Sequence, residues 1–310
     1  MKTILVTGGA GFIGSHLVDK LIEMGNKVVI IDDLSLGKRE NINEKAVFLQ
    51  ASIIDDLEKI FADYKFDAVF HVAALPRVQF SIKEPHKTHD VNVNGTINLL
   101  EMCRKYNVSR FIFSSSSSIY GEQKQLPLKE GVKPNPLSPY ALHKLIGEDY
   151  CRIYHFLYGV KTISLRYFNV YGPRQDPFGD YACLIPKFIS KMLAGEKPTI
   201  FGDGKQTRDF TYVDDVVMAN ITASETDNEE CFGEVFNIGS GNSLSVNDVT
   251  GYIKESLGSD LEPVHGSAVI EPRDTRADIT KAQGALGWYP KISFKEGLRR
   301  TAEFFNVSVE

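Results

Sequence analysis

The sequence predicts an α/β fold in which a doubly wound parallel sheet is joined to a smaller α/β lobe. Three observations carry that prediction. Short apolar runs alternate with helical periodicity up to Arg166, the pattern of a parallel sheet covered on both faces. The first apolar run leads directly into Gly8-Gly9-Ala10-Gly11-Phe12-Ile13-Gly14 and then a helical stretch, the Rossmann-type order. After Arg166 the alternation gives way to an aromatic, arginine-rich and turn-rich half.

Composition bounds the classes of function. At 310 residues the chain has room for one large domain or two interlocked ones. Its 43% apolar and 24% charged content is that of a soluble globular protein. A net charge of −5 argues against a nucleic-acid or anionic-membrane partner. No apolar run is long enough to span a bilayer, and no leader pattern precedes the first strand. Cys103, Cys151, Cys183 and Cys231 are widely spaced, so they read as reduced thiols of a cytoplasmic protein. No cluster has metal-ligand spacing, so no metal is expected.

Residues 3 to 7 are a short apolar run fit for a buried parallel strand. The glycines that follow let the backbone turn tightly and approach a pyrophosphate, which then sits at the positive end of a helix. Gly25 is the expected helix stop, and Val28 to Ile31 is the second strand, ending in Asp32-Asp33. Asp32 lies where an acid takes the ribose hydroxyls of an adenosine, and its charge would repel a 2′-phosphate. Further strands are expected at 46–50, 67–71, 110–113 and 161–166, with helices near 55–64, 84–106 and 139–158. Ser114 to Ser118, flanked by Phe113 and Ile119-Tyr120, reads as a strand end aimed at a pocket. In the second half, helices are expected near 183–194, 214–223 and 246–257, and strands at 199–201 and 235–238.

Tyr140 and Lys144 stand four apart on a predicted helix and so share a face. A free tyrosine, with a pKa of about 10, is a poor base at neutral pH. A nearby ammonium favours the phenolate and is expected to lower that value. The pair is therefore a device for removing a proton from a hydroxyl. A lone YxxxK is more often an aromatic anchor beside a solvated lysine, so the weight comes from the other motifs.

Those motifs are TGGAGFIG at 7–14, NVNGT at 92–96, SSSSSIYG at 114–121, SPYALHK at 138–144, LRYFNVYGPRQDP at 165–177 and GDGKQTRDFTYVDD at 202–215. In that order they resemble the extended short-chain dehydrogenase/reductase superfamily, and within it the UDP-sugar 4-epimerase family. The resemblance implies NAD as cofactor and a UDP-sugar as substrate. Tyr140 would then be the catalytic base and acid, Lys144 would tune it and bind the nicotinamide ribose, and Ser116 would bond the same sugar hydroxyl. Gly8, Gly11, Phe12, Ile13 and Gly14 would hold the pyrophosphate, and Asp32 and Asp33 the adenosine ribose. Ser52, Ile53, Ala73, Ala74, Asn92, Ser114 and Tyr167 would complete the cofactor cleft. Asn169, Ala182, Leu184, Thr199, Phe201, Arg208 and Arg273 would hold the UDP-sugar, the two arginines on the diphosphate. Residues 1–166, joined by parts of 214–238, would form the NAD-binding domain, and 167–310 the UDP-sugar lobe. The helices at 84–106 and 139–158 would form a homodimer interface in the manner of the family.

The chain departs from its relatives in places. Ser52 replaces an acid used on the adenine, Pro76 replaces a lysine near the pyrophosphate, and the 272–278 segment is shortened. Ser117 and Ser118 stand where 4,6-dehydratases and decarboxylases of the superfamily carry a glutamate, which disfavours those reactions. UDP-glucuronate 4-epimerases differ around 166–177. The RQDPFGDYA stretch is similar to epimerases of N-acetylated sugars, and Thr275 or Arg276 in place of a bulky tyrosine would leave room for an acetamido group. A non-catalytic NAD or UDP-sugar sensor is the rival class, but it has no need of Ser116, Tyr140 and Lys144.

Overall fold

The computed structural model describes residues 1–178, 183–267 and 272–307. In chain order the first strands are β1 (Thr3–Thr7), β2 (Lys27–Asp32), β3 (Val47–Gln50), β4 (Ala68–His71), β5 (Arg110–Ser116) and β6 (Thr162–Tyr167). The helices between them are α1 (Phe12–Glu23), α2 (Glu58–Tyr64), α3 (Val78–Lys83), α4 (Pro85–His89), α5 (Gly95–Lys105) and α6 (Pro139–Tyr158). The second half adds β7 (Val170–Tyr171), α7 (Leu184–Leu193), β8 (Thr199–Phe201), β9 (Thr207–Arg208), β10 (Thr211–Tyr212) and α8 (Val213–Glu225). It ends with β11 (Val235–Ile238), β12 (Leu244–Ser245), α9 (Val246–Leu257), β13 (Val264–Gly266) and α10 (Phe294–Val307).

Seven strands form one parallel sheet in the order β11-β6-β5-β4-β1-β2-β3. Strand period two splits its apolar side chains between two cores. Ile4, Val6, Val28 and Ile30 face α1 and α8, whereas Leu5, Val29, Ile31, Phe111 and Phe113 face α2, α5 and α6. Burial on both faces is why these strands read as continuous apolar runs. The chain leaves β1 on one side and β4 on the other, so their C-terminal ends open a crevice at the switch point of the sheet. A third core, with Phe188, Ile189, Val249 and Leu298, packs α7, α9 and α10 together beyond that crevice.

The structure corrects several boundaries. The expected 84–106 helix is interrupted: α3 starts earlier, and Glu84 breaks the run at φ −126°, ψ 61°. Pro85 explains the break, because a proline disfavours helical geometry at the residue before it. Asp90–Asn94 is then a π-helical segment between α4 and α5. Strand β5 continues through Ser116 rather than stopping at Phe113, since Ser114, Ser115 and Ser116 pair with Leu165, Arg166 and Tyr167 of β6. Helix α2 begins only at Glu58, where Asp56 accepts the Glu58 amide.

Candidate active site

Helix α6 brings Tyr140 and Lys144 over the end of β5. Ser138 caps it, its hydroxyl accepting from the Ala141 amide at 3.2 Å, and Pro139 occupies the first turn. Ser81 of α3 accepts the Tyr140 amide at 3.0 Å, so α3 steadies the same turn. Gly147 lets the helix lie close on the sheet: a Cβ there would sit 2.4 Å from Phe113 Cζ. Tyr140 is 9% and Lys144 4% exposed.

The three consecutive serines at the end of β5 each take a different partner. The Ser114 carbonyl accepts from Lys144 Nζ at 2.6 Å, and its hydroxyl lies 3.0 Å from the Tyr167 hydroxyl. Ser115 donates to Glu148. Ser116 hydrogen-bonds the Tyr140 phenol.

Burial pushes Tyr140 up to about 12, with the Ser116 bond pulling the other way. Burial pushes Lys144 down to about 8, and Cys151 and Glu148 oppose that fall. The sequence expectation that Lys144 lowers the phenol is therefore corrected. Desolvation dominates, because the ammonium is turned onto the Ser114 carbonyl, over the Phe113 ring and 6.0 Å from the Tyr140 ring centroid.

The crevice suits a dinucleotide. Gly8 has φ +73°, and a Cβ on it would lie 2.8 Å from the Ala73 backbone. A Cβ on Gly14 would lie 2.1 Å from the Gly8 carbonyl. Gly11 begins α1 with no side-chain cap and no acid in the first turn, so the Phe12 and Ile13 end of the helix presents bare N–H groups. Asp32, 8% exposed, is pushed above the ordinary carboxylate value by burial, a rise opposed by the bonds it accepts from the Leu34 amide at 2.8 Å and the Ala10 amide at 3.0 Å.

Other expected cofactor residues take structural contacts. Asn92 spends its amide on Leu75, accepting from its N–H at 2.8 Å and donating to its carbonyl at 3.1 Å. It thereby fixes the loop that carries Ala73 and Ala74. Tyr167 bonds Ser114 and Asn220 within the core. Ile53 is buried against Gly95, Asp33 is exposed and caps Ser35, and the Ser52 amide is held by Asp55.

Beside this lies a cavity of about 490 Å³. Asn169, Leu184, Thr199, Phe201 and Arg208 line it, together with Cys183. Cys183 lies close enough to Tyr140 to oppose ionisation of the phenol, which puts the cavity next to the dyad. Arg273 is not among the lining residues. It is exposed and pairs with Asp203 at 3.3 Å, although its carbonyl accepts from Arg208 at 2.9 Å. Ala182 lies outside the described residues. The structure adds Asp209, fully buried, which accepts from Ser240, Gly241 and Ala277 and so ties the loops around Arg208. Its place inside the GDGKQTRDF motif was the only signal of it in the sequence.

The family model described as the NAD dependent epimerase/dehydratase family matches residues 4–239. The chain is similar to a putative UDP-glucose 4-epimerase of Methanocaldococcus jannaschii, at 47% identity over 97% of both chains. It resembles the crystal structure of a Thermotoga maritima UDP-glucose 4-epimerase with UDP-glucose, with a TM-score of 0.96 and 46% identity over 99% of this chain and 100% of that one. It also resembles a UDP-N-acetylglucosamine 4-epimerase of Methanobrevibacter ruminantium in complex with UDP-N-acetylmuramic acid. There the TM-score is 0.94 and the identity 42%, over 100% of this chain and 99% of that one.

Proposed function

The chain belongs to the NAD dependent epimerase/dehydratase family, as a UDP-sugar 4-epimerase, and from that premise we propose that it interconverts UDP-N-acetylglucosamine and UDP-N-acetylgalactosamine, with UDP-glucose and UDP-galactose accepted as well. The observation that carries the reading is the convergence of Ser116, Tyr140 and Lys144 at the C-terminal end of β5, one strand from the switch point of the sheet, beside a cavity of about 490 Å³.

NAD, when bound, supplies the hydride acceptor and donor for C4 of the sugar. The glycine turn and the bare end of α1 would hold the pyrophosphate, and Asp32 the adenosine ribose. Tyr140 takes the proton of the 4-hydroxyl and later returns it. Ser116 favours the phenolate and burial opposes it, so further positive charge in the cleft has to complete the activation. The 4-keto sugar turns over while its diphosphate stays held, with Arg208 as an anchoring cation in the cavity and Arg273 tied to Arg208 through its carbonyl.

The preference for acetylated sugars is supported by the absence of a bulky tyrosine at Thr275 or Arg276, which would leave room for an acetamido group. The dehydratase reading is disfavoured because Ser117 and Ser118 offer no carboxylate beside Ser116. The sheet domain 1–166 with 214–238 would carry NAD, and 167–310 the sugar nucleotide. A homodimer through α6 is supported by its exposed Leu142, Ile153, Phe156 and Leu157. A cytoplasmic setting is supported by the four free thiols. Coupled assays on the four UDP-sugars test the substrate reading. Interconversion of the acetylated pair is expected, and turnover of the non-acetylated pair alone defeats it.

A further inference from the structure

We propose that the buried Glu148–Arg166 ion pair positions the catalytic dyad, holding the end of β5 against α6 through Ser115 and presenting Lys144 with a balanced charge. The inference rests on the reading of Ser116, Tyr140 and Lys144 as the reacting groups.

Glu148 lies one turn beyond Lys144 on α6 and is 5% exposed; Arg166 of β6 is 4% exposed. Their contact is a two-pronged one, Arg166 Nε donating to Glu148 Oε1 at 2.9 Å and Nη2 to Oε2 at 2.7 Å. Ser115 donates to the same Oε1. Ser115 stands between the serine whose carbonyl receives Lys144 and the serine whose hydroxyl meets Tyr140. A shift of Ser115 along or away from α6 would displace both contacts together.

The far side of the pair is anchored just as fully. Arg166 Nη1 donates to the Tyr120 hydroxyl at 2.8 Å and the Glu130 carbonyl at 3.1 Å. Tyr120 donates to Asn237 of β11 at 2.7 Å, and Asn237 reaches the Leu128 and Asp278 carbonyls. One network therefore runs from the helix of the dyad to the 272–278 segment.

A buried ion pair of this kind is poor evidence for stability, since apolar residues of similar volume often serve as well. Its position suggests another use. Lys144 faces Tyr140, His143, Glu148 and Cys151 from its own helix and His71 from β4, and Glu148 brings Arg166 from β6. Among these, Glu148 and Arg166 are the groups of fixed opposite charge. Removing Glu148 leaves an unbalanced cation near Lys144; removing Arg166 leaves an unbalanced anion. The two losses must act on Lys144 in opposite directions, whereas damage to packing would act in one.

The test compares Glu148→Gln, Arg166→Gln, the double variant and Ser115→Ala with wild type. Readouts are kcat and KM against pH for the UDP-sugar, and direct titration of the Lys144 ammonium by heteronuclear NMR. Glu148→Gln is expected to move the Lys144 titration and the basic limb of kcat down by about one pH unit, and Arg166→Gln to move both up by about as much. The double variant should bring them back toward wild type. Ser115→Ala should lower kcat about ten-fold with KM and the limb unmoved. Shifts in the same direction, no shift, or wild-type kcat in Ser115→Ala overturn the proposal. Should a single charge variant fail to fold, a displaced limb in the double variant or full kcat in Ser115→Ala still overturns it. A wild type that turns over no UDP-sugar removes the functional reading and this proposal with it, whereas an active wild type with unmoved limbs removes this proposal alone.

Discussion

Single side chains at this site do one of two jobs, and the hydrogen bonds separate them. His71, 1% exposed, is wedged between Thr7 and Thr96, each 2.9 Å from a ring nitrogen. Thr96 gives its own proton to the Asn92 carbonyl at 2.7 Å, so it accepts from His71, which leaves Thr7 as donor to the other nitrogen. The ring is thus neutral, and burial holds its proton affinity well below the ordinary imidazole value of 6.5. Below that pH the unfolded chain takes up a proton that the folded one refuses, so stability present above it is lost as the pH falls. The loss should approach 1.4 kcal/mol per pH unit from this residue, or about 2 kcal/mol between about pH 6.5 and pH 5. Urea midpoints across that window check it: His71→Gln should start less stable but show the shallower acid slope, and an equal slope would refute the assignment. Asn92 shows the limit of motif reading at this scale. Its motif was visible, but a sequence does not reveal that both ends of the amide are already used on Leu75.

Helix α6 and strand β5 form the working element, and their closeness is set by Gly147. A Cβ at that position would meet the Phe113 ring, which is fully buried and has nowhere to retreat. Gly147→Ala is expected to cost about 1–3 kcal/mol as an overpacked contact. It should also lift Tyr140 and Lys144 away from Ser114 and Ser116, lowering kcat more than it raises KM. A thermal melt and a kinetic comparison check both parts, and unchanged turnover in a destabilised variant would contradict the second. Much of this element was legible. Pro139 and the apolar period marked α6, and the apolar run to Phe113 marked β5. The serines read as a strand end, but how far β5 runs into them was not legible, because that extent is decided only by pairing with β6. Glu148 and Arg166 were equally hidden, since an acid on a helix reads as a solvated face until the fold puts an arginine opposite.

At the scale of the molecule, the parallel sheet was readable because its central strands are buried on both faces, and the glycine loop marked the end of it expected to bind. The lobe beyond Arg166 was harder: its strands are two or three residues long, too short for any period, and they are held by loops such as those gathered on Asp209. The exposed apolar residues of α6 predict a dimer by light scattering; Phe156, 82% exposed, is the residue to probe, and Phe156→Glu should yield monomers. A wild type that is already monomeric would remove that interface. The central claim is that the Tyr140 phenol, over the cofactor crevice, moves the proton of the sugar's 4-hydroxyl. It is tested most directly by the turnover of Tyr140→Phe with its NAD content measured alongside. The variant should fold, retain NAD and lose at least about 10²-fold in kcat; a folded, NAD-loaded variant that epimerises at the wild-type rate would contradict the account.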